Sequence, residues 1–448
     1  MNADARRNKL DRQALEDIVD SVLALAKSEG VDQAEVAASR DIGLSATARL
    51  GDVESLEYTN DRGIGITVYK DKKKGSASTS DFAPAALRET VAKACTFSTL
   101  TASDEFAGLA DPALMASDPP DLDLAHEWEI ESDLAIALAI ECEEAARSSD
   151  SRITNSEGAT VGTNSGIRAY GNTHGFLSSY AKTSHSLSCV VVGEANGDME
   201  RDYWYTAARD AELLESAADV GARAAKRTVE RLGGRKIPTG NAPVLLAPEI
   251  ARGFIGHAVS AIAGGAQYRR SSFLLDAAGE QVFPTFMQIA ERPHLKGAMS
   301  SAPYDAEGVR TTDRDLIVDG VLQGYILSSY SARRLGLSST GNAGGAHNLL
   351  VEGTAEGMQA LMQEMGTGLL VQELIGQGVN AVTGDYSRGA VGFWIENGEI
   401  AYPVHEITIA GNLRDLYQRI VAVGNDQDLR GGIRCGSILI DEMRIAGA

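Results

Sequence analysis

An α+β fold is predicted, with two N-terminal helix-and-sheet segments followed by a strand-rich C-terminal domain for which a barrel is one option. Three observations carry this reading. Helical periodicity brackets a run of short strands twice before residue 235. After residue 237 short strands and Gly-containing turns dominate. Glycine accounts for 47 of 448 residues, against a usual share of about 7%, and tight turns between strands explain such an excess.

The elements follow in order. Leu15, Ile18, Val19, Val22, Leu23 and Ala26 recur at helical spacing, and Gly30 stops that first helix. Short strands are expected at residues 34–39, 44–50 and 55–59. Ile64, Ile66 and Val68 then alternate, and a Lys72-Lys73-Lys74 turn leads into residues 75–80. Pro84 can open a second helix that runs to about residue 97. Residues 98–124 hold Pro112, Pro119 and Pro120 with little periodicity and form a candidate linker. A third helix spans roughly residues 128–147, and strands cover 166–170, 176–180, 187–193 and 201–206. A fourth helix, 211–232, ends at Gly233-Gly234. Next, Val244-Leu245-Leu246 reads as a buried strand and Pro248 as the start of another helix. Asn397-Gly398 is the strongest hairpin signal in the chain, and helical stretches at 355–365 and 413–422 interrupt the C-terminal strands. The chain is too long for one ordinary core, and these breaks divide it into residues 1–120, 121–236 and 237–448.

Hydrophobic and charged fractions of 44% and 23% are those of an ordinary globular protein, so disorder is not expected. The formal charge, 41 minus 62 or -21, repels phosphate backbones and anionic lipids, which argues against nucleic-acid and membrane partners. The lysine run reads as a solvated hairpin tip. Cys95, Cys142, Cys189 and Cys435 form no C-x-x-C pair, which argues against a disulfide framework and a zinc ribbon. Residues 1–10 are polar and charged, and no charge-free apolar run is long enough to span a bilayer, so the cytoplasm is the expected compartment.

Seven histidines are present, none in H-E-x-x-H spacing. His405-Glu406 lacks a second histidine, and neither a G-x-S-x-G elbow nor a phosphate loop occurs. The Pro248 helix lines Ile250, Phe254, Ala258, Ala261 and Ile262 along one side, with His257 at the margin of that stripe. A packed core helix with one satisfied histidine accounts for this on the residues alone.

Three stretches carry a family resemblance, Ser339-Thr340-Gly341-Asn342-Ala343-Gly344-Gly345, residues 388–400 (RGAVGFWIENGEI) and Cys435-Gly436-Ser437, and the order of segments fits from the first helix to the terminal residues 443–447. With these, and in the order of its segments, the whole chain resembles the PmbA/TldE family. The resemblance implies a bacterial protein that pairs with a TldD-type catalytic subunit to cut peptides. In the TldD branch the helix matching the one at Pro248 carries H-E-x-x-x-H, and a cysteine near the C-terminus completes the zinc site. Aligned through Arg269-Arg270, the first histidine falls on Gly256, the glutamate on His257 and the second histidine on Ala261, while Cys435 matches the cysteine. The implied subunit has no catalytic residue and no metal of its own, the zinc being expected in the partner. Residues five apart on a regular helix diverge by roughly 140°, so such a motif needs a widened or ended helix. Gly264-Gly265 either keeps that break or merely caps the helix.

A groove for an extended peptide is expected around Asn342, Gly344, Gly345, His347 and Asn348, together with the hairpin at 388–400, although plain turn architecture also accounts for these residues. Expected partners are a TldD-type subunit, a second copy when the chain is alone, and unfolded or extended peptides. Two other functions stay open. One is a metallopeptidase in its own right with His257, His347, His405 and Cys435 as ligands; the other is a regulator of DNA gyrase without proteolytic role.

Overall fold

The computed structural model describes residues 11–447, and the polar stretch 1–10 lies outside it. The N-terminal half is built around one antiparallel sheet of six strands, in the order β3-β2-β1-β4-β5-β6. These are β1 (Gln33–Arg49), β2 (Asp52–Lys70), β3 (Lys73–Thr79), β4 (Ile153–Asn172), β5 (Leu177–Ala195) and β6 (Asp198–Ala208). Helices α1 (Arg12–Ser28) and α2 (Pro84–Leu100) flank the first three strands in sequence, and α3 (Ser132–Ser149) and α4 (Ala217–Arg231) flank the last three. The two halves therefore repeat one plan and meet at β1 and β4.

Alternation fixes which face the helices cover. Val36 and Ala38 of β1, Ile64, Ile66 and Val68 of β2 and Ile167 and Ala169 of β4 pack under α1 and α2. Farther along, Leu44, Ala46 and Ala48 of β1 join Ala159, Val161, Leu187, Cys189 and Trp204 under α3 and α4. The opposite face is left for other work.

Several short expected strands are parts of longer ones. Residues 34–39 and 44–50 belong to a single β1, because both β2 and β4 pair through Asp41 and Gly43 without interruption. The first half of β4 was not expected at all. Its Asn155, Ser156, Gly158, Gly162 and Asn164 lack an apolar beat, but ladder hydrogen bonds, to β5 along the strand and to β1 from Ala159 onward, need no side chain. The fourth helix is shorter than expected: Ala211–Leu213 is a 3-10 turn, and Ser216 starts α4 by accepting from the Asp219 backbone at 3.1 Å.

The C-terminal half contains a closed ring. Strands β7 (Gly240–Leu246), β12 (Gly368–Ile375), β13 (Asp385–Glu396), β14 (Glu399–Asn412) and β17 (Ile438–Ala446) pair in turn, and β14–β17 contacts close the barrel. The barrel option is thus the one realised. Asn397 and Gly398, both at positive φ, make the expected tight turn between β13 and β14. A second sheet, β10-β9-β8-β11-β16, comprises β8 (Ile289–Glu291), β9 (Arg314–Val318), β10 (Val321–Leu322), β11 (Leu349–Val351) and β16 (Ile433–Arg434). Helix α5 (Pro248–Ala261) begins with the expected proline and sinks Ala251, Phe254, Ile255 and Ala258 into the largest core. It ends at Ile262, and Gly264 and Gly265 open the next helix, α6 (Gly264–Tyr268), instead of capping α5. The remaining helices are α7 (Ser329–Leu335), α8 (Met358–Met365) and α9 (Leu413–Gln418). The expected helix 413–422 stops early because Ile420–Val423 becomes β15 on the edge of β17.

Helices α3 and α4 cross at Gly221, where an added Cβ would overlap the Cys142 carbonyl oxygen. Gly63, on β2, has nothing within 4 Å of the same atom. Gly221→Leu should therefore destabilise the fold by about 3 kcal/mol, with Gly63→Ala within about 0.5 kcal/mol of the parent. Thermal melts of the two variants check this; equal melting points would contradict the close crossing.

Candidate functional site

The sheet face turned away from the helices carries the odd-numbered residues of β1. Register places Ser78, Gly65, Ala37 and Tyr170 in one row across four strands, and Gly63, Ser39, Arg168 and Tyr180 in a neighbouring row. These small and polar residues form the floor of a cleft of about 960 Å³. Its roof comes from the C-terminal half, through residues 302–306 and 343–347.

Two buried carboxylates hold that roof. Glu291, at the end of β8 and 1% exposed, accepts from Asn342 Nδ2 at 2.8 Å and from the His347 backbone N–H at 2.7 Å. Arg314 Nε supplies its counter-charge at 2.6 Å. Asp305 accepts backbone N–H bonds from Ala343, Glu307 and Val309, each at 2.9 Å. Between these anchors Gly344 and Gly345 have φ of +99° and +118°, a region that side chains disfavour. The loop is bent and pinned, not slack.

Of the expected groove residues, Gly344, Gly345 and His347 line the cleft. The His347 ring turns back to its own loop, with Nε2 3.0 Å from the Gly341 carbonyl. Asn342 and Asn348 are buried and do structural work. Asn348 Nδ2 donates to the Arg292 carbonyl and to Ser301 Oγ, and its Oδ1 accepts from the Ser300 N–H. The sequence reading missed Arg168, Tyr170, Tyr180 and Tyr304. Tyr304 stacks edge-on against Phe176 and Tyr180, and its hydroxyl donates to the Ser178 carbonyl at 2.9 Å. Alternation within the expected strands 166–170 and 176–180 puts Arg168 and Tyr170 on one face, but only pairing shows that the face is shared.

The positions compared with the zinc motif lie elsewhere, on α5 and beside β16. Gly256 is directed at Ile433, whose Cδ1 would be 3.7 Å from an added Cβ. Ala261 is 2% exposed within the core. His257 is half-buried, edge-on to Tyr386, and burial together with Arg388 lowers its pKa. Cys435 is fully buried; its thiol donates to the Gly436 carbonyl, and burial, then Asp426, pushes its pKa up. Two of these four positions, Gly256 and Ala261, offer no lone pair, so this set does not fit a zinc ion.

Nor do His257, His347, His405 and Cys435 assemble into another set, since no three of them come within 4.8 Å of one another. Among the described residues only Asp198, Glu200 and His405 are that close. Their carboxylates are already engaged: Glu200 pairs with Arg231 at 3.3 Å and with His405 at 3.2 Å, and Asp198 accepts from the Gly233 N–H.

With the geometry in place, comparison with known proteins gives a consistent result. PmbA/TldA metallopeptidase models match domain 1 at residues 34–96, the central domain at 125–232 and the C-terminal domain at 239–447. This chain belongs to the PmbA/TldD metallopeptidase family. Metalloprotease PmbA of Escherichia coli O157:H7 is 52% identical over 436 residues, covering 97% of each chain. A Bacteroides thetaiotaomicron protein described as a modulator of DNA gyrase has a TM-score of 0.92 at 27% identity, covering 97% of this chain and 99% of that one. TldE from Thermococcus kodakarensis shares the fold, with a TM-score of 0.83 at 22% identity over 96% of this chain and all of its own. The two N-terminal matches of the PmbA/TldD pattern thus fall on the two halves of one sheet.

Burial lifts the Asp305 carboxyl to about 7, Glu307 adding to the rise and the three backbone donors opposing it. The folded state therefore keeps a proton that the unfolded chain releases near pH 4. The stability this provides is complete below about pH 4 and is lost as pH rises through about 7. Asp305→Asn should flatten the fall in melting temperature across that window, and an unchanged slope in pH-dependent thermal melts would assign the effect to other groups.

Proposed function

We propose that this chain is the substrate-holding, non-catalytic subunit of a TldD/TldE-type zinc metalloprotease that degrades or processes peptides, with the zinc in a TldD-type partner. The observation that carries the reading is the helix α5 itself: in a metallopeptidase family, its motif positions are Gly256, His257 and Ala261, and Cys435 is a buried thiol. Without ligands there is no bound water of lowered pKa and no polarised carbonyl. The large cleft remains, however, and its chemistry suits an extended chain.

The floor of small residues leaves width for substrate side chains, while Tyr170, Tyr180 and Tyr304 offer apolar faces ending in hydroxyls. Beside it, β3 pairs only with Ile64–Lys70 of β2, so among the described residues the outer edge of β2 from residue 52 to 63 has no strand neighbour. A peptide can add there as a further strand, through backbone hydrogen bonds that read little sequence, and run on toward Gly63 and Gly65 at the cleft. The TldD-type partner then presents its zinc to the held chain. No helix among the described residues is long and apolar enough to cross a membrane. That agrees with a cytoplasmic setting for the pair.

Reconstitution tests the assignment. Peptide cleavage is expected only when this chain is mixed with a TldD-type subunit, and stoichiometric metal with cleavage by this chain alone would overturn it. Because Gly344 and Gly345 sit at strained φ, the better probe of the cleft is Gly65→Trp on the open floor. It should weaken binding of an extended peptide about tenfold, close to 1.4 kcal/mol, with the melting temperature nearly unchanged. Recovery of gyrase in place of a TldD-type subunit in pull-downs would favour the regulatory reading.

A further inference from the structure

A second, smaller cleft of about 310 Å³ opens beside α5. Tyr203, Trp204 and Tyr205 of β6 form one wall, Arg252 and His257 of α5 another, and Gln372 and Arg388 of the barrel a third. Most charges here are already matched. Glu249 lies 3.9 Å from Arg227 and 3.4 Å from Arg430, and Glu373 lies 2.6 Å from Arg231. Arg252 pairs with Asp428 at 3.1 Å and donates to the Tyr205 hydroxyl at 2.9 Å. Arg388 is different. Among the described residues it has no carboxylate partner, only a long bond of 3.5 Å to the Ile375 carbonyl. His257 beside it likewise has no hydrogen bond or ion pair among them. An unmatched guanidinium in the wall of a pocket, on a chain of charge -21, is an invitation to an anion.

Gln372 adds an independent sign. It sits where the β12–β13 ladder loses register between Val371 and Glu373, and bulges of this kind re-aim side chains. Its buried Oε1 has no hydrogen-bond partner. Native structures leave few such acceptors unsatisfied, and Gln372 is among the residues that line this pocket. The missing partner is a donor, so the occupant brings an N–H as well as a negative charge.

A peptide carries both. Resting on the peptide-holding reading above, we propose that this pocket binds a peptide carboxylate, with Arg388 as its counter-ion and Gln372 accepting from an adjoining peptide N–H. Tyr203, 41% exposed, supplies a ring against which the neighbouring side chain lies. The carboxylate belongs to the chain terminus or to an Asp or Glu side chain, and the same chemistry recognises either. The pocket thereby sets which end or which acidic residue of a held peptide is anchored.

Calorimetric titration of the isolated full-length chain decides this with three probes: an acetylated alanine tripeptide with a free carboxylate, its C-terminal amide, and an amide-ended peptide containing one aspartate. The free acid should bind at least tenfold more tightly than the plain amide, and Arg388→Gln should remove that difference. Tight binding of the aspartate peptide that is lost in Arg388→Gln assigns the anchor to a side chain and supports the proposal equally. Equal binding of acid and amide with an aspartate peptide that binds no better than the amide, or an Arg388→Gln variant that still discriminates, overturns it, as does failure of every probe to bind. Because these titrations use the chain alone, their failure is distinguishable from failure to pair with a TldD-type subunit.

Discussion

From Glu35 opposite Asn172 to Ala48 opposite Ala159, β1 and β4 pair without a break in register, and this ladder joins the two N-terminal halves into one surface. Neither half has a core broad enough to stand apart: α1 packs on β4 as well as β1, and α3 on β1 as well as β4. Because the side-chain period is two, the same ladder decides that Ala37, Ser39, Arg168 and Tyr170 all face away from the helices. A slip of one residue would turn Val36 and Ala38 outward and abolish both the core and the cleft floor together. Fold and site are thus specified by a single register.

The roof depends on a different kind of constraint. A buried carboxylate is tolerated only when its oxygens are met by donors and its charge by a counter-ion. Glu291 meets that condition with Arg314, Asn342 and the His347 backbone, so the loop over the cleft cannot relax without exposing an unpaired charge. Rigidity of this sort limits the entropy that the loop itself would lose on binding any ligand.

Local patterns were legible where one element decides its own shape. The Asn397-Gly398 turn, the proline-led starts of α2 and α5, and the alternation of Ile64, Ile66 and Val68 could be read directly. Elements that depend on neighbours were not. The polar first half of β4 is a strand because β5 pairs along it and β1 joins from Ala159, and Ile420–Val423 leaves a helical pattern to pair with β17. The site divides in the same way. Gly344, Gly345 and His347 lie in a contiguous motif and could be singled out, whereas the floor gathers residues from five strands that only register brings together. Arg388 was visible within its stretch, but its lack of a partner is a property of the folded surroundings.

The uncovered edge of β2 is a colloidal matter as well as a binding one. Exposed Val53, Leu56 and Tyr58 would invite another strand, yet Asp52, Glu54, Glu57 and Asp61 are threaded among them. Two copies meeting edge to edge would bring like charges together within a Debye length, on molecules already strongly negative. The edge is therefore guarded by sign: two copies repel each other at low ionic strength, so salt sets how often it meets itself.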